Sequence, residues 1–232
     1  MFKTTILLAA LMFVTLSDRA VAQAVKGESF DVLASVMETH NKEINAKDIV
    51  ASSKEEAIRY REKIIAGWWE FMQAKSNAAP GEYCTATFLR AKRVKRERVD
   101  GISDGMMVAL FGPGGNYRGA LLGFSPLDKD QSFPKAGNGK PVLVTLKQGN
   151  VKPVTLYAIY TEFGPSKRPL LLFAVPSIDA LMGGMEDNWR FQVIYQDQTI
   201  ADIEWHDGLK ARDELKQCLA GKTFDEKSHL RD

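Results

Sequence analysis

Residues 106–124 read MMVALFGPGGNYRGALLGF: an apolar run from Met106 to Phe111, the turn-forming Gly112-Pro113-Gly114-Gly115-Asn116, then strand-forming residues from Tyr117 to Phe124. A glycine-rich loop that cradles a dinucleotide must open a helix, because the first free amides of that helix meet the phosphates. Here Tyr117-Arg118-Gly119-Ala120-Leu121-Leu122 continues as a strand. The stretch therefore predicts a hairpin between antiparallel strands.

The same texture extends outward in both directions. Strand-like segments run Tyr83 to Arg90, Met106 to Phe111, Tyr117 to Phe124, Val142 to Leu146, Val154 to Phe163, Leu170 to Val175, Trp189 to Tyr195 and Ile200 to Trp205. Turn residues such as Gly149-Asn150 separate them. Short strands without long intervening helices predict an antiparallel sheet, curled or folded into a sandwich, in place of a doubly wound parallel one. Ser177 to Met182 reads as a single helical turn.

Helical patterns flank this β-rich region, giving an α+β class with an N-terminal helical pair, a mainly antiparallel β-sheet or sandwich, and a C-terminal helix. Leu33, Val36, Met37, His40 and Ile44 form the stripe of a helix over Ser29 to Ile44. A second helix is expected from Ser53, where Glu56 completes a capping box, through Ala57, Tyr60, Ile64, Trp68 and Phe71. Its neighbouring positions Ile58, Ile65, Trp69 and Met72 are also apolar, so the stripe is wide and Trp68 and Trp69 read as core residues, not a ligand platform. The closing helix is expected from Asp207 as N-cap through Ala211, Leu215, Cys218 and Leu219, stopped by Gly221. Pro80-Gly81 ends the helical part, which spans 29–76; the β-rich part spans 83–205, the closing helix 207–220 and a polar tail 221–232. No repeat or linker divides residues 23–220, which read as one domain.

The amino terminus carries an export pattern. Lys3 precedes an uncharged run from Ile6 to Leu16, and Ala20-Val21-Ala22 supplies a small-x-small cleavage site before Gln23. The apolar run is too short for a membrane-crossing helix of about 20 residues, so residues 1–22 read as a signal peptide and the mature chain as one without a membrane span. The whole chain has 31 basic and 29 acidic residues; losing Lys3, Arg19 and Asp18 leaves 29 and 28. A balance so near zero singles out no partner by charge. In a periplasmic or secreted chain the only two cysteines, Cys84 and Cys218, read as a disulfide. His40, His206 and His229 have none of the short spacings of a zinc site, and no metal or cofactor is expected.

Trp205-His206-Asp207-Gly208, followed by Ala211, Leu215 and Cys218, resembles the closing strand, glycine turn and cysteine-bearing helix of small alphaproteobacterial periplasmic proteins of the invasion-associated locus B type. The resemblance covers about thirty residues, from Trp189 onward. It implies a periplasmic β-rich domain with a helical close and no clear enzymatic activity. The helical segment from Ser29 to Lys75 departs from that pattern.

Three arrangements could carry catalysis. Gly101-Ile102-Ser103-Asp104-Gly105 matches the Gly-x-Ser-x-Gly of a nucleophile elbow, yet a strand-like segment follows where the elbow needs a helix, so a turn between strands is expected. His206 beside Asp207 could be a base with its orienting acid; the helix-cap role of Asp207 is preferred. Glu186, Asp187, Asp197 and Glu204 could supply an acid and a base against an envelope glycan, a reading that any carboxylate-rich domain would offer by chance. Together these form the alternative of an envelope hydrolase using Ser103 or a carboxylate with His206.

The most distinctive local feature is the basic run Arg90, Lys92, Arg93, Lys95, Arg96 and Arg98, interrupted by a single acid, Glu97. Such a cluster can neutralise phosphates or sulfates on an envelope polymer or lipid, or can protect an edge strand from aggregation. It lacks the interleaved aromatics of a single-strand binder, and export argues against nucleic acid. The expected function is non-catalytic binding, to another envelope protein or to an anionic polymer or lipid through Arg90 to Arg98.

Overall fold

The computed structural model describes residues 55–73, 78–95, 101–127, 133–163 and 167–222. The leader, the predicted helix over 29–44, Ser53 of the capping box, Arg96, Arg98 and the polar tail from 223 onward lie outside these residues.

Within them the chain forms helix α1 (Glu55–Ala66) and strands β1 (Trp68–Gln73), β2 (Cys84–Val94), β3 (Gly101–Phe111), β4 (Ala120–Pro126), β5 (Lys140–Gln148), β6 (Val154–Phe163) and β7 (Arg168–Val175). Helix α2 (Ile178–Gly183), β8 (Trp189–Tyr195), β9 (Gln198–Trp205) and helix α3 (Gly208–Leu219) follow. The class is α+β, dominated by one antiparallel sheet in the order β1-β2-β3-β4-β7-β6-β5-β8-β9, curled into a half-barrel.

The second predicted helix is shorter than expected. It stops at Ala66, and Trp68 to Gln73 forms β1, in register with Leu89 to Cys84 of β2. Gly67 is the reason. Its φ of +97° is a conformation that glycine adopts without strain, and its amide donates to the Lys63 carbonyl at 2.9 Å, closing the helix. A β-carbon there would stand 2.6 Å from Phe88 Cζ and 2.8 Å from His206 Nε2, so the position has room for no side chain. Beyond it Trp68 and Trp69 point to opposite faces, as successive strand residues must. Trp68 packs with the outer cluster around α1, edge-on to Tyr60, and Trp69 with the interior.

The curled sheet has two unlike halves. In β2, β3, β4 and β7 both faces are buried over most of their length. Alternate residues serve two clusters: Ala86, Phe88, Val108, Leu110, Leu122 and Phe124 face the interior, and Leu89, Met107, Ala109, Leu121, Leu170 and Leu172 belong to the outer cluster with Ile64 of α1. The continuous apolar runs of residues 106–111 and 170–173 follow from this double burial. In β5, β6, β8 and β9 buried and exposed residues alternate along much of each strand, leaving an outer face toward solvent.

The interior is closed by its own side chains. An aromatic chain runs from Trp69 to Trp205, Phe191, Phe124 and Phe173, with successive ring centroids 5.4, 4.7, 5.6 and 5.7 Å apart. Helix α3 adds Ala211, Leu215 and Cys218 to the same cluster. The Cys84–Cys218 disulfide ties α3 to the start of β2, with the Cα atoms 5.9 Å apart and both residues fully buried. The predicted turn Ser177 to Met182 is α2, where the Ser177 hydroxyl caps the Ala180 amide at 3.1 Å.

Candidate binding surface

The basic run is built into β2 and its surroundings. β1 pairs with β2 only as far as Leu89, so Arg90 to Val94 extends past its neighbour with one edge uncovered on that side. Arg90 Nη1 donates to the Glu204 carbonyl of β9 at 3.0 Å, a bond between strands near the two ends of the sheet. Lys92 donates to Asp104 at 3.1 Å, and Arg93 forms a two-pronged pair with Glu62 of α1. Lys95 is exposed. Three of these cations thus already serve contacts within the fold.

The catalytic candidates are not gathered. Gly101 to Gly105 is part of β3, correcting the expected turn: Ser103 pairs with Lys92 in the ladder beyond a bulge at Arg90/Lys92, and no helix follows the serine. His206 packs edge-on against Phe88, ring centroids 5.3 Å apart, and Lys92 lies four residues further along β2, about 13 Å of strand. Ser103 and His206 therefore belong to different parts of the molecule.

The pairing of His206 with Asp207 differs from expectation. Asp207 occupies the N-cap position of α3, but its φ is +55° and its carboxylate makes no capping bond. It lies instead against His206 Nδ1, while His206 Nε2 stands 3.1 Å from the Ala66 carbonyl at the end of α1. The carboxylate at the start of α3 is that of Asp187, whose Oδ1 accepts weakly from the Leu209 amide at 3.4 Å and whose carbonyl accepts from the Gly208 amide at 2.9 Å. Both His206 nitrogens are occupied by fold contacts, so the ring acts here as a pin.

The remaining carboxylates do not face one another across a cleft. The Glu186 carbonyl accepts from the Trp205 indole at 3.0 Å, Asp197 sits with Gln196 in a left-handed two-residue turn between β8 and β9, and Glu204 is paired across from Arg190. Among the described residues no group of three or more histidine, cysteine, aspartate or glutamate side chains could hold a metal ion.

What the sequence did not single out is the outer face of β6, β5, β8 and β9. Register places Tyr157 opposite Leu143, Thr155 opposite Thr145 and Lys147 opposite Gln192, with Asp202 next in that row. Leu143 and Tyr157 are 52% and 58% exposed, and Val151 and Val154 at the turn end of the same hairpin are each 54% exposed. Arg190 grips Asp202 with two bonds of 2.8 and 2.6 Å and Gln192 adds a third at 3.1 Å; led by the Arg190 hydrogen bond, and against a smaller effect of burial, these hold the Asp202 carboxyl below its ordinary value. Beside them is an open depression of about 250 Å³ lined by Lys147, Gly149, Asn150, Arg190 and Gln192, with no carboxylate in its wall. The available signal was the alternation of residues 142–147, whose exposed phase contains a leucine.

No protein-family model, no curated protein and no solved structure matches the chain. Among the described residues no helix is long and apolar enough to cross a membrane.

Proposed function

We infer that the protein is an exported, non-catalytic binding protein of the cell envelope, acting in the periplasm or outside the cell and contacting an anionic surface from the outside of its sheet. The observation that carries the reading is the filled interior: Phe88, Phe124, Phe191 and Trp205 occupy the space a substrate would need. Binding through a surface asks for no cleft, whereas catalysis on a polymer needs a concave site with converging groups. Ser103 and His206 supply no such convergence.

The buried disulfide supports an oxidising compartment, as do the leader pattern and the resemblance of the closing segment to periplasmic proteins of the invasion-associated locus B type. The basic run remains part of the proposed surface, through Lys95, Arg96 and Arg98 above all, because Arg90, Lys92 and Arg93 are engaged within the fold.

The test is sedimentation of the purified protein with isolated envelope, alongside assay of soluble product released from peptidoglycan and ester reporters. Saturable, salt-sensitive binding without product release is expected. Product release abolished by Ser103→Ala would replace this reading with the hydrolase one.

A further inference from the structure

The β5–β6 hairpin joins two properties that the rest of the outer face does not combine. Between Asp130 and Glu162 the sequence has four lysines, Lys135, Lys140, Lys147 and Lys152, and no acid. Lys147, on the same phase of β5 as Leu143, and Lys152 in the turn form no ion pair among the described residues, and Leu143 and Tyr157 lie beside them as a cross-strand pair; Lys140 belongs to the opposite phase, with Val142 and Val144. The result is an apolar pair beside a positive turn end, where Lys147 also lines an open depression.

We propose that this hairpin face is a docking surface for an anionic lipid membrane, with Leu143 and Tyr157 entering the headgroup boundary and Lys147 and Lys152 meeting lipid phosphates. The proposal rests on the binding reading above and names its partner.

Two observations select this occupant. A second copy of the chain would set the same lysines against each other, so like charges oppose a face-to-face dimer. Two large exposed side chains make a small apolar area, well below the roughly 800 Å² per partner of a stable protein interface. A bilayer surface needs less, since shallow insertion of a few apolar groups is reinforced by each lysine near anionic headgroups. Tyrosine suits that depth, with an apolar ring and a hydroxyl that stays hydrated. The nearest acid on the neighbouring strands of this face, Asp202, lies two strands from β5 and is neutralised by Arg190.

The protein recovered after expression with its own leader is sedimented with vesicles of phosphatidylglycerol and phosphatidylcholine in equal amounts, and with vesicles of phosphatidylcholine alone. Binding to the anionic vesicles only is expected, weakened roughly tenfold or more by Lys147→Gln with Lys152→Gln, and similarly by Leu143→Ser with Tyr157→Ser. Circular dichroism and thermal midpoint should be unchanged in both, as these side chains are exposed. Three outcomes overturn the proposal: no vesicle binding by the unaltered protein, binding unaffected by both variants, or vesicle binding lost only when Arg93, Lys95 and Arg96 are replaced by alanine. A parallel column of immobilised polyglutamate separates a protein partner from a lipid one. Retention there that depends on the lysines but not on Leu143 and Tyr157, without vesicle binding, would also overturn the lipid assignment while leaving the binding reading intact.

Discussion

The indole N–H of Trp69 donates to the main-chain carbonyl of His206 at 2.6 Å, joining β1 to the end of β9 across 137 positions. The Trp69 ring also packs 5.2 Å from Phe88 and 5.4 Å from Trp205. One side chain therefore ties an edge strand to β2 and to the far end of the curled sheet.

Removing that side chain in two stages should separate the bond from the packing. Trp69→Phe deletes the donor and keeps a ring, costing about 1–2 kcal/mol. Trp69→Ala empties the space between Phe88 and Trp205 and should cost about 3 kcal/mol or more. Urea unfolding midpoints of the two variants check the order; equal losses would show that packing contributes nothing beyond the bond.

Gly67→Ala should be among the costliest small substitutions. It places a β-carbon in a left-handed backbone conformation and within 3 Å of Phe88 and His206, for a loss of about 2–4 kcal/mol. Gly139→Ala is the matched control: its φ is +74° with nothing within 4 Å, so it carries the backbone strain alone. Thermal midpoints should fall clearly further for Gly67→Ala than for Gly139→Ala.

Reduction should loosen α3 first. The disulfide closes a loop of 134 positions, which in the chain-entropy model is worth at most about 5 kcal/mol. Cys218→Ser should lose several kcal/mol and expose residues 208–219 to limited proteolysis before the strands are cut. Thiol titration of the denatured, unreduced protein should find no free thiol; two per chain would mean that packing alone holds α3.

Acid should remove the contribution of Asp202. Its folded carboxyl is held below the ordinary 3.8, so its stabilisation is present above that value and is lost as pH falls through the lower folded value. The side chain is 38% exposed, and solvent screening leaves about 1 kcal/mol or less. Asp202→Asn should therefore be slightly less stable than the unaltered protein at neutral pH, and the difference should shrink as pH falls through the folded value, where the carboxyl becomes protonated in both states. A difference that persists undiminished in acid would point to the hydrogen-bond geometry and not the charge.

Polyanion binding should depend on the basic run. Arg93→Ala, Lys95→Ala and Arg96→Ala together should lower heparin retention and flatten its salt dependence. Because Glu62 neutralises Arg93, Glu62→Gln should instead raise retention by removing an acid from beside the run. Identical salt profiles for all three proteins would remove the run from the binding surface.

Much of the architecture could be read before the fold was known. Eight strand segments, the short α2 turn, the closing helix and the cysteine pair depend on alternation, turn residues and compartment, all local or compositional signals. The miss at Trp68 to Gln73 has a physical source. Both phases of the pattern were apolar, which suits a wide helical stripe and equally a strand packed on both faces, and Gly67 was the local sign that separated them. Gly101 to Gly105 was missed for a related reason: the glycines that suggest a turn also fit a strand beside a bulge.

The functional residues were harder because their meaning depends on neighbours far along the chain. Chemistry at each position was legible, including the cations of β2 and the adjacent His206 and Asp207. Whether Arg93 faces solvent or Glu62, whether His206 meets Ser103 or the carbonyl of Ala66, and whether Leu143 is covered or bare depend on how the sheet curls and which elements pack on its back. Local periodicity sets which side chains share a strand face; the long-range pairing that brings β9 toward β2, and leaves the outside of β5 and β6 uncovered, sets which of them water can reach.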